Sequence, residues 1–329
     1  MRKIKWGILA PGSIANRFAA GLAAARDAVP YAVGSRDIGR ARAFADKYGF
    51  EKAYGSYKEL AADPDVDIIY VATPHPQHME AVITCLEAKK AVLCEKPFAP
   101  SAFQASRMIE CARKNGVFCM EGMWTRFIPA VVKARELIAD GAIGKVRHVN
   151  ADFGFRASVN PEGRLFAPAS AGGSLLDVGV YNVSFSSMIF GKQPDRIQSH
   201  LQIGSTGVDE IASVLFNYSG GQSAALLSAI RLNTPQDATI FGEDGSIYLP
   251  SYWHGDTLLL NNKNGKQEFK IPFESTGFQF EAEEAMSCLE GGKLESAVMP
   301  LDETLAVIKT LDKIRYDNHL VYPFEAGEA

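Results

Sequence analysis

Over residues 1–122 the chain alternates short apolar runs with helix-like stretches, and this alternation restricts its fold more than any other feature. The runs lie at residues 4–9, 31–34, 66–72, 91–94 and 117–120. Strands that are apolar almost throughout are those covered on both faces by helices. The pattern therefore predicts an α/β domain with a doubly wound parallel sheet, whose ligands bind at the carboxyl ends of the strands. The residues just beyond each run are where chemistry is expected.

The first run leads into Gly7-Ile8-Leu9-Ala10-Pro11-Gly12-Ser13-Ile14-Ala15. This is a G-x-G-x-x-G/A turn in which Ala10 stands at the first glycine place, with Gly12 and Ala15 at the second and third. Ala10, Gly12, Ser13 and Ile14 are predicted to hold a pyrophosphate on the N-terminus of a helix. The second run ends in Ser35-Arg36, with Arg40 one helical turn later. An acid there would hold a ribose diol, whereas an arginine accommodates a 2′-phosphate, so NADP is expected in preference to NAD. Asp37 reads as a helix N-cap, and Ser56/Glu59 and Ser101/Gln104 as capping boxes. Thr73, Pro74, His75 and His78 follow the third run and are expected under the nicotinamide half of the cofactor. The two histidines have Pro76 between them and no third ligand nearby, so no metal is expected.

The fourth run ends abruptly in Cys94-Glu95-Lys96-Pro97. Proline has no amide hydrogen and restricts the residue before it, so the strand stops there and the backbone aims Lys96. Glu95 lies beside it, and a half-buried lysine at a strand end suits proton transfer near neutral pH.

The chain has 329 residues, enough for two domains, placed at 1–122 and 123–329. A net charge of -4 gives no basic field for nucleic acid. With neither an apolar leader nor a membrane-length apolar run, a cytoplasmic protein is expected. The five cysteines show no C-x-x-C spacing and read as reduced core residues.

Beyond residue 122 longer alternating strands appear at 146–155, 197–203, 211–218 and 222–232, with shorter ones at 239–241 and 258–260 and a hairpin turn at Asn264-Gly265. This predicts a mostly antiparallel sheet, packed on a long helix over residues 173–190 and followed by tail helices near 278–290 and 302–317. The long helix is apolar apart from a few groups, and Asp177 and Tyr181 fall four residues apart on one face. Set opposite Lys96, Tyr181 would pass a proton to or from a substrate oxygen, Lys96 would lower the barrier electrostatically, and Asp177 would orient substrate or lysine. Trp124, Arg126, Phe153, Phe155 and Arg156 offer stacking and hydroxyl contacts to a substrate.

The glycine turn, Thr73-Pro74, Glu95-Lys96-Pro97 and the segment Gly172-Gly173-Ser174-Leu175-Leu176-Asp177-Val178-Gly179-Val180-Tyr181 together resemble the Gfo/Idh/MocA oxidoreductases, the glucose-fructose oxidoreductase and inositol dehydrogenase family, over nearly the whole chain. Many members carry histidine where this chain has Tyr181. Tyrosine there, with Met123-Trp124-Thr125-Arg126-Phe127, is more similar to the branch of dimeric dihydrodiol dehydrogenases and NADP-linked D-xylose dehydrogenases. The resemblance implies hydride transfer between a carbinol carbon and nicotinamide, with Lys96 and Tyr181 at the reacting oxygen and Asp177 beside them. It also implies homodimers or homotetramers formed through the open face of the second sheet. The family includes a cofactor-binding regulator without chemistry and nicotinamide-dependent glycosidases, which stand as the alternatives.

Overall fold

The structure is a computed structural model and describes residues 2–327. The chain divides into two units: the chain up to Trp124 with Glu274–Leu305, and Thr125–Phe273 with the chain from Ala306 on. The expected single cut at 122/123 is thus corrected, because part of the tail returns to the first unit. The returning helix α8 (Gln279–Glu290) is preceded by Phe278, which packs edge-on against Phe18 of helix α1 (Ser13–Leu22) at 6.3 Å. Gly21 of α1 makes the approach possible, since a Cβ there would sit 2.8 Å from that of Phe278.

The first unit is built on six parallel strands, β1 (Ile4–Leu9), β2 (Ala28–Gly34), β3 (Lys52–Tyr54), β4 (Ile68–Val71), β5 (Ala91–Glu95) and β6 (Cys119–Gly122). Their order, β3-β2-β1-β4-β5-β6, is that of a dinucleotide-binding sheet with its switch point between β1 and β4. The sequence reading found five of these strands and missed β3, whose three half-buried residues carry too little apolar signal. Helices α2 (Ile38–Tyr48), α3 (Tyr57–Ala62), α4 (His78–Glu87) and α5 (Ala102–Asn115) complete the crossovers. The expected caps form, with Asp37, Ser56 and Ser101 accepting from the first-turn amides of α2, α3 and α5. The core includes Trp6, Phe18 and Tyr70, each fully buried and each contributing about 2–3 kcal/mol by leaving water.

The second unit opens with α6 (Pro129–Ala139) and holds an eight-stranded sheet, in the order β14-β13-β12-β11-β7-β10-β9-β8. Its strands are β7 (Val146–Gly154), β8 (Arg196–Ile203), β9 (Asp209–Asn217), β10 (Ser223–Ala229), β11 (Ala238–Gly242), β12 (Gly245–Leu249), β13 (Thr257–Asn262) and β14 (Gly265–Lys270). Every pairing is antiparallel except β7 with β10. The long helix is not α-helical throughout: Leu175–Gly179 forms a π-turn, followed by α7 (Val180–Phe190). Close packing accompanies the irregular turn, as a Cβ at Gly179 would lie 2.8 Å from the Ser228 hydroxyl on β10. Such π-turns occur often at functional sites. The second tail helix is α9 (Leu301–Asp317).

Candidate active site

In the first unit the predicted residues gather at the carboxyl ends of β1, β2, β4 and β5. Ala10 occupies a left-handed backbone conformation, φ 68°, which is the geometry the first glycine normally supplies. The turn closes through a 2.8 Å bond from the Gly12 amide to the Ala10 carbonyl. Helix α1 then starts with Gly12 as N-cap, with no side-chain cap and no acid in its first turn. Its first amides keep their donors, and at Gly12 an added Cβ would meet nothing closer than 3.9 Å. At the end of β4 the Thr73 hydroxyl is buried and unpartnered. Uncapped amides, an open glycine and an orphaned hydroxyl are what a bound dinucleotide would use, so the residues fit that group.

At the end of β2, Ser35 is buried and its hydroxyl accepts from the Asp37 amide, while Arg36 and Arg40 are exposed. Both arginines act on Tyr57 at the start of α3, Arg36 through a hydrogen bond. They oppose the burial that raises this phenol's pKa. A pair of exposed guanidiniums at this strand end is a ready anion site.

The turn that carries Lys96 is held from three sides. The Lys96–Pro97 peptide is cis. The Lys96 amide donates to Glu95 Oε2 at 3.1 Å and the Phe98 amide to Glu121 Oε1 at 3.0 Å. His78 lies against the carbonyls of Pro97 and Phe98 through Nδ1, at 3.0 and 3.2 Å, and against that of Thr73 through Nε2, at 2.8 Å. Burial pushes the His78 pKa down, against the pull of these carbonyls.

Two of the residues singled out in the sequence face inward here. His78 is fully buried with both ring nitrogens turned to backbone, and the Glu95 carboxyl is engaged by the Tyr70 hydroxyl as well as by the Lys96 amide. Both hold the lysine's turn. His75 is buried nearby, its ring 5.7 Å from that of His78. Among the described residues no group of three His, Cys, Asp or Glu side chains is arranged to hold a metal ion.

In the second unit Tyr181, at the start of α7, is buried in an aromatic wall with Phe153 at 5.2 Å and Trp253 at 6.4 Å. Phe153 and Trp253 stack on each other at 4.7 Å, and the Trp253 indole donates to Gln236. Asp177, in the π-turn, accepts from Arg164 at 2.7 Å. Sequence reasoning missed Arg164 and Trp253. Arg164 lies in an irregular stretch with no periodicity to point at Asp177. The wall instead pairs Tyr181 with a tryptophan from a remote loop. The entry to the π-turn is fixed by Asp209, whose Oδ2 accepts from Ser174 Oγ at 2.8 Å and the Leu175 amide at 2.7 Å. Burial pushes the Asp209 carboxyl up to about 6, partly offset by those two donors.

Four residues offered as substrate contacts are engaged within the chain. Trp124 is stacked on Phe278 at 4.5 Å and buried. Arg126 is buried with its guanidinium donating to the Ser184 hydroxyl and carbonyl, each at 3.0 Å, which anchors α7. Phe155 packs on the cluster of Phe166, Val208 and Ile230. Arg156 is exposed and bridges by its backbone to Arg231. Phe153 touches a catalytic candidate, Tyr181.

The sheet order, the glycine-type turn and the anion-ready strand ends define a dinucleotide-binding protein of the Rossmann class. Residues 4–123 match the model described as an oxidoreductase family with an NAD-binding Rossmann fold, and residues 131–248 match the GFO/IDH/MocA C-terminal domain. The chain belongs to the Gfo/Idh/MocA family of oxidoreductases. It is 40% identical to the trans-1,2-dihydrobenzene-1,2-diol dehydrogenase of Mus musculus, over 97% of this chain and 98% of that protein. The human enzyme of the same name is 37% identical over 97% and 98%. Among solved structures, the aldose-aldose oxidoreductase of Caulobacter crescentus shares the fold with a TM-score of 0.89 at 24% identity, covering 97% of this chain and 98% of that one. The protein is an oxidoreductase.

Proposed function

We propose that the protein is an NADP-dependent dehydrogenase or reductase acting on a carbinol carbon of a sugar, a cyclic polyol or a trans-dihydrodiol, with Lys96, Tyr181 and Asp177 as its catalytic residues. The observation that carries the chemistry is Lys96, presented on a turn whose flanking amides and carbonyls are gripped by buried Glu95, Glu121 and His78. A side chain so placed loses little entropy on meeting a substrate oxygen. The similarity to enzymes named for a trans-dihydrodiol supports the substrate class. The exposed pair Arg36 and Arg40 supports NADP, since guanidiniums match a 2′-phosphate.

When bound, the nicotinamide takes up or gives back the hydride of the carbinol carbon. In the oxidative direction the hydroxyl proton of the substrate would pass to Tyr181 in its phenolate form, which returns it to the phenol, and the Lys96 ammonium would stabilise the negative charge that develops on the substrate oxygen. Asp177, tied to Arg164, orients the substrate's second hydroxyl. Ala10, Gly12, Ser13 and Ile14 would hold the pyrophosphate, and Thr73, Pro74 and His75 would contact the nicotinamide half. Phe153 and Trp253 supply an apolar wall for the carbon skeleton of the substrate.

We further propose association as a homodimer or homotetramer through the open face of the second sheet. That face is concave, about 750 Å³, and lined by Asp152, His200, Leu215, Leu227 and Tyr248. Leu215 is 50% exposed there, as is expected of a surface awaiting a partner. Among the described residues no helix is long and apolar enough to cross a membrane.

The test is a panel of aldoses, inositols and vicinal diols assayed with NADP and NAD in parallel, reading reduced-nicotinamide absorbance. Turnover of at least one diol or sugar with NADP is expected. Hydrolysis of a glycoside with no net change in cofactor would replace this reading.

A further inference from the structure

Glu281 of α8 is completely buried in the first unit, and neither of its carboxyl oxygens accepts a hydrogen bond from a donor group among the described residues. Its Oε2 reaches the end of β6, 3.3 Å from where a Cβ on Gly122 would stand. Glu95 from β5, Glu121 from β6 and Tyr70 from β4 act on it, the Cys94 carbonyl lies beside the same Gly122 position, and Lys96 and Arg17 act in turn on Glu95. Glu95 and Glu121 are the two carboxyls that accept from the backbone on either side of Lys96. A buried carboxyl that no donor satisfies is costly, so its presence asks for a reason.

We propose that Glu281 is a positioning residue for Lys96, sharing one proton with Glu95 and so governing the charge that Glu95 presents beside the lysine. This rests on the catalytic reading of Lys96 given above. Three carboxylates cannot all be charged in a volume closed to water, and like charges in one site force a proton onto the group. Burial together with Glu95 and Glu121 pushes the Glu281 carboxyl well up, and burial also raises Glu95, against the pull of Lys96. As the protonated partner, Glu281 donates to Glu95 and lets it remain an anion. Glu95 then keeps both its acceptor role at the Lys96 amide and its charge next to the ammonium. Without that donor, Glu95 takes up the proton itself at higher pH, and Lys96 loses its anionic neighbour.

The experiment compares Glu281→Gln, which keeps a donor of the same shape, with Glu281→Leu, which removes it, in the full-length protein with NADP and a turned-over diol. Glu281→Gln is expected to retain the wild-type pH profile of kcat. Glu281→Leu is expected to displace its limb by about one pH unit, the size of effect a neighbouring opposite charge exerts. In the cofactor-free protein, infrared spectra should show a protonated-carboxyl carbonyl band near neutral pH that Glu281→Gln loses. An unmoved profile in Glu281→Leu, equal displacement in both variants, or no such band in the wild type would each overturn the proposal. If Glu281→Leu does not fold, the glutamine profile and the infrared band still decide. Full turnover by Lys96→Met would instead remove the catalytic reading of the lysine, with the infrared result still reporting on the shared proton.

Discussion

The His78 ring ties the Thr73 carbonyl, at 2.8 Å, to the Pro97 carbonyl, at 3.0 Å, so the turns after β4 and β5 share one side chain. Replacing it by alanine removes the ring's one N–H donor and strands a buried carbonyl in the turn that it serves. His78→Ala is expected to lower stability by about 1–3 kcal/mol, the usual cost of unsatisfied buried groups. Urea denaturation of variant and wild type checks this. An unchanged midpoint and slope would show that the ring is dispensable.

Removing the positioned groups separates chemistry from binding. Lys96→Met and Tyr181→Phe should each lower kcat by about two orders of magnitude or more, the scale of a lost acid–base group. Fluorescence titration with reduced cofactor should show affinity within a few-fold of wild type.

Arg36 stands exposed at the end of β2, with Arg40 a turn away. Arg36→Ala should weaken NADP much more than NAD, by about tenfold or more if a charge-assisted bond worth roughly 1.5–3 kcal/mol is lost. Equal losses for the two coenzymes would refute the assignment.

Ala10 holds φ at 68°, where a Cβ is unfavourable. Ala10→Gly relieves a strain of about 1–2 kcal/mol while adding freedom to the unfolded chain worth somewhat less. A net gain of up to about 1 kcal/mol in thermal or chemical unfolding is expected, with cofactor binding kept.

Asp209 gives the pH dependence its sign. Its folded pKa, about 6, lies above the ordinary 3.8, so the folded state binds the extra proton. The stability this gives is fully present below pH 3.8 and is lost as pH rises through 6. Asp209→Asn retains an oxygen for Ser174 and the Leu175 amide but carries no charge. Its stability relative to wild type should therefore improve by about 1–3 kcal/mol between pH 4 and pH 7. A constant difference across that range would mean that Asp209 does not titrate there.

The sequence by itself determined the strand–helix alternation, the caps at Asp37, Ser56 and Ser101, the glycine-type turn and the strand end at Lys96, because each is set by residues a few positions apart. Near neighbours restrict backbone angles and satisfy local amides wherever the rest of the chain lies. Only the tertiary structure decided that His78 and Glu95 face inward, that Arg126 anchors α7, that Arg164 meets Asp177 and that Glu281 joins Glu95 and Glu121. Those partners come from elements remote in sequence, and burial, which no local pattern states, is what turns an acid or an imidazole from a ligand into a support.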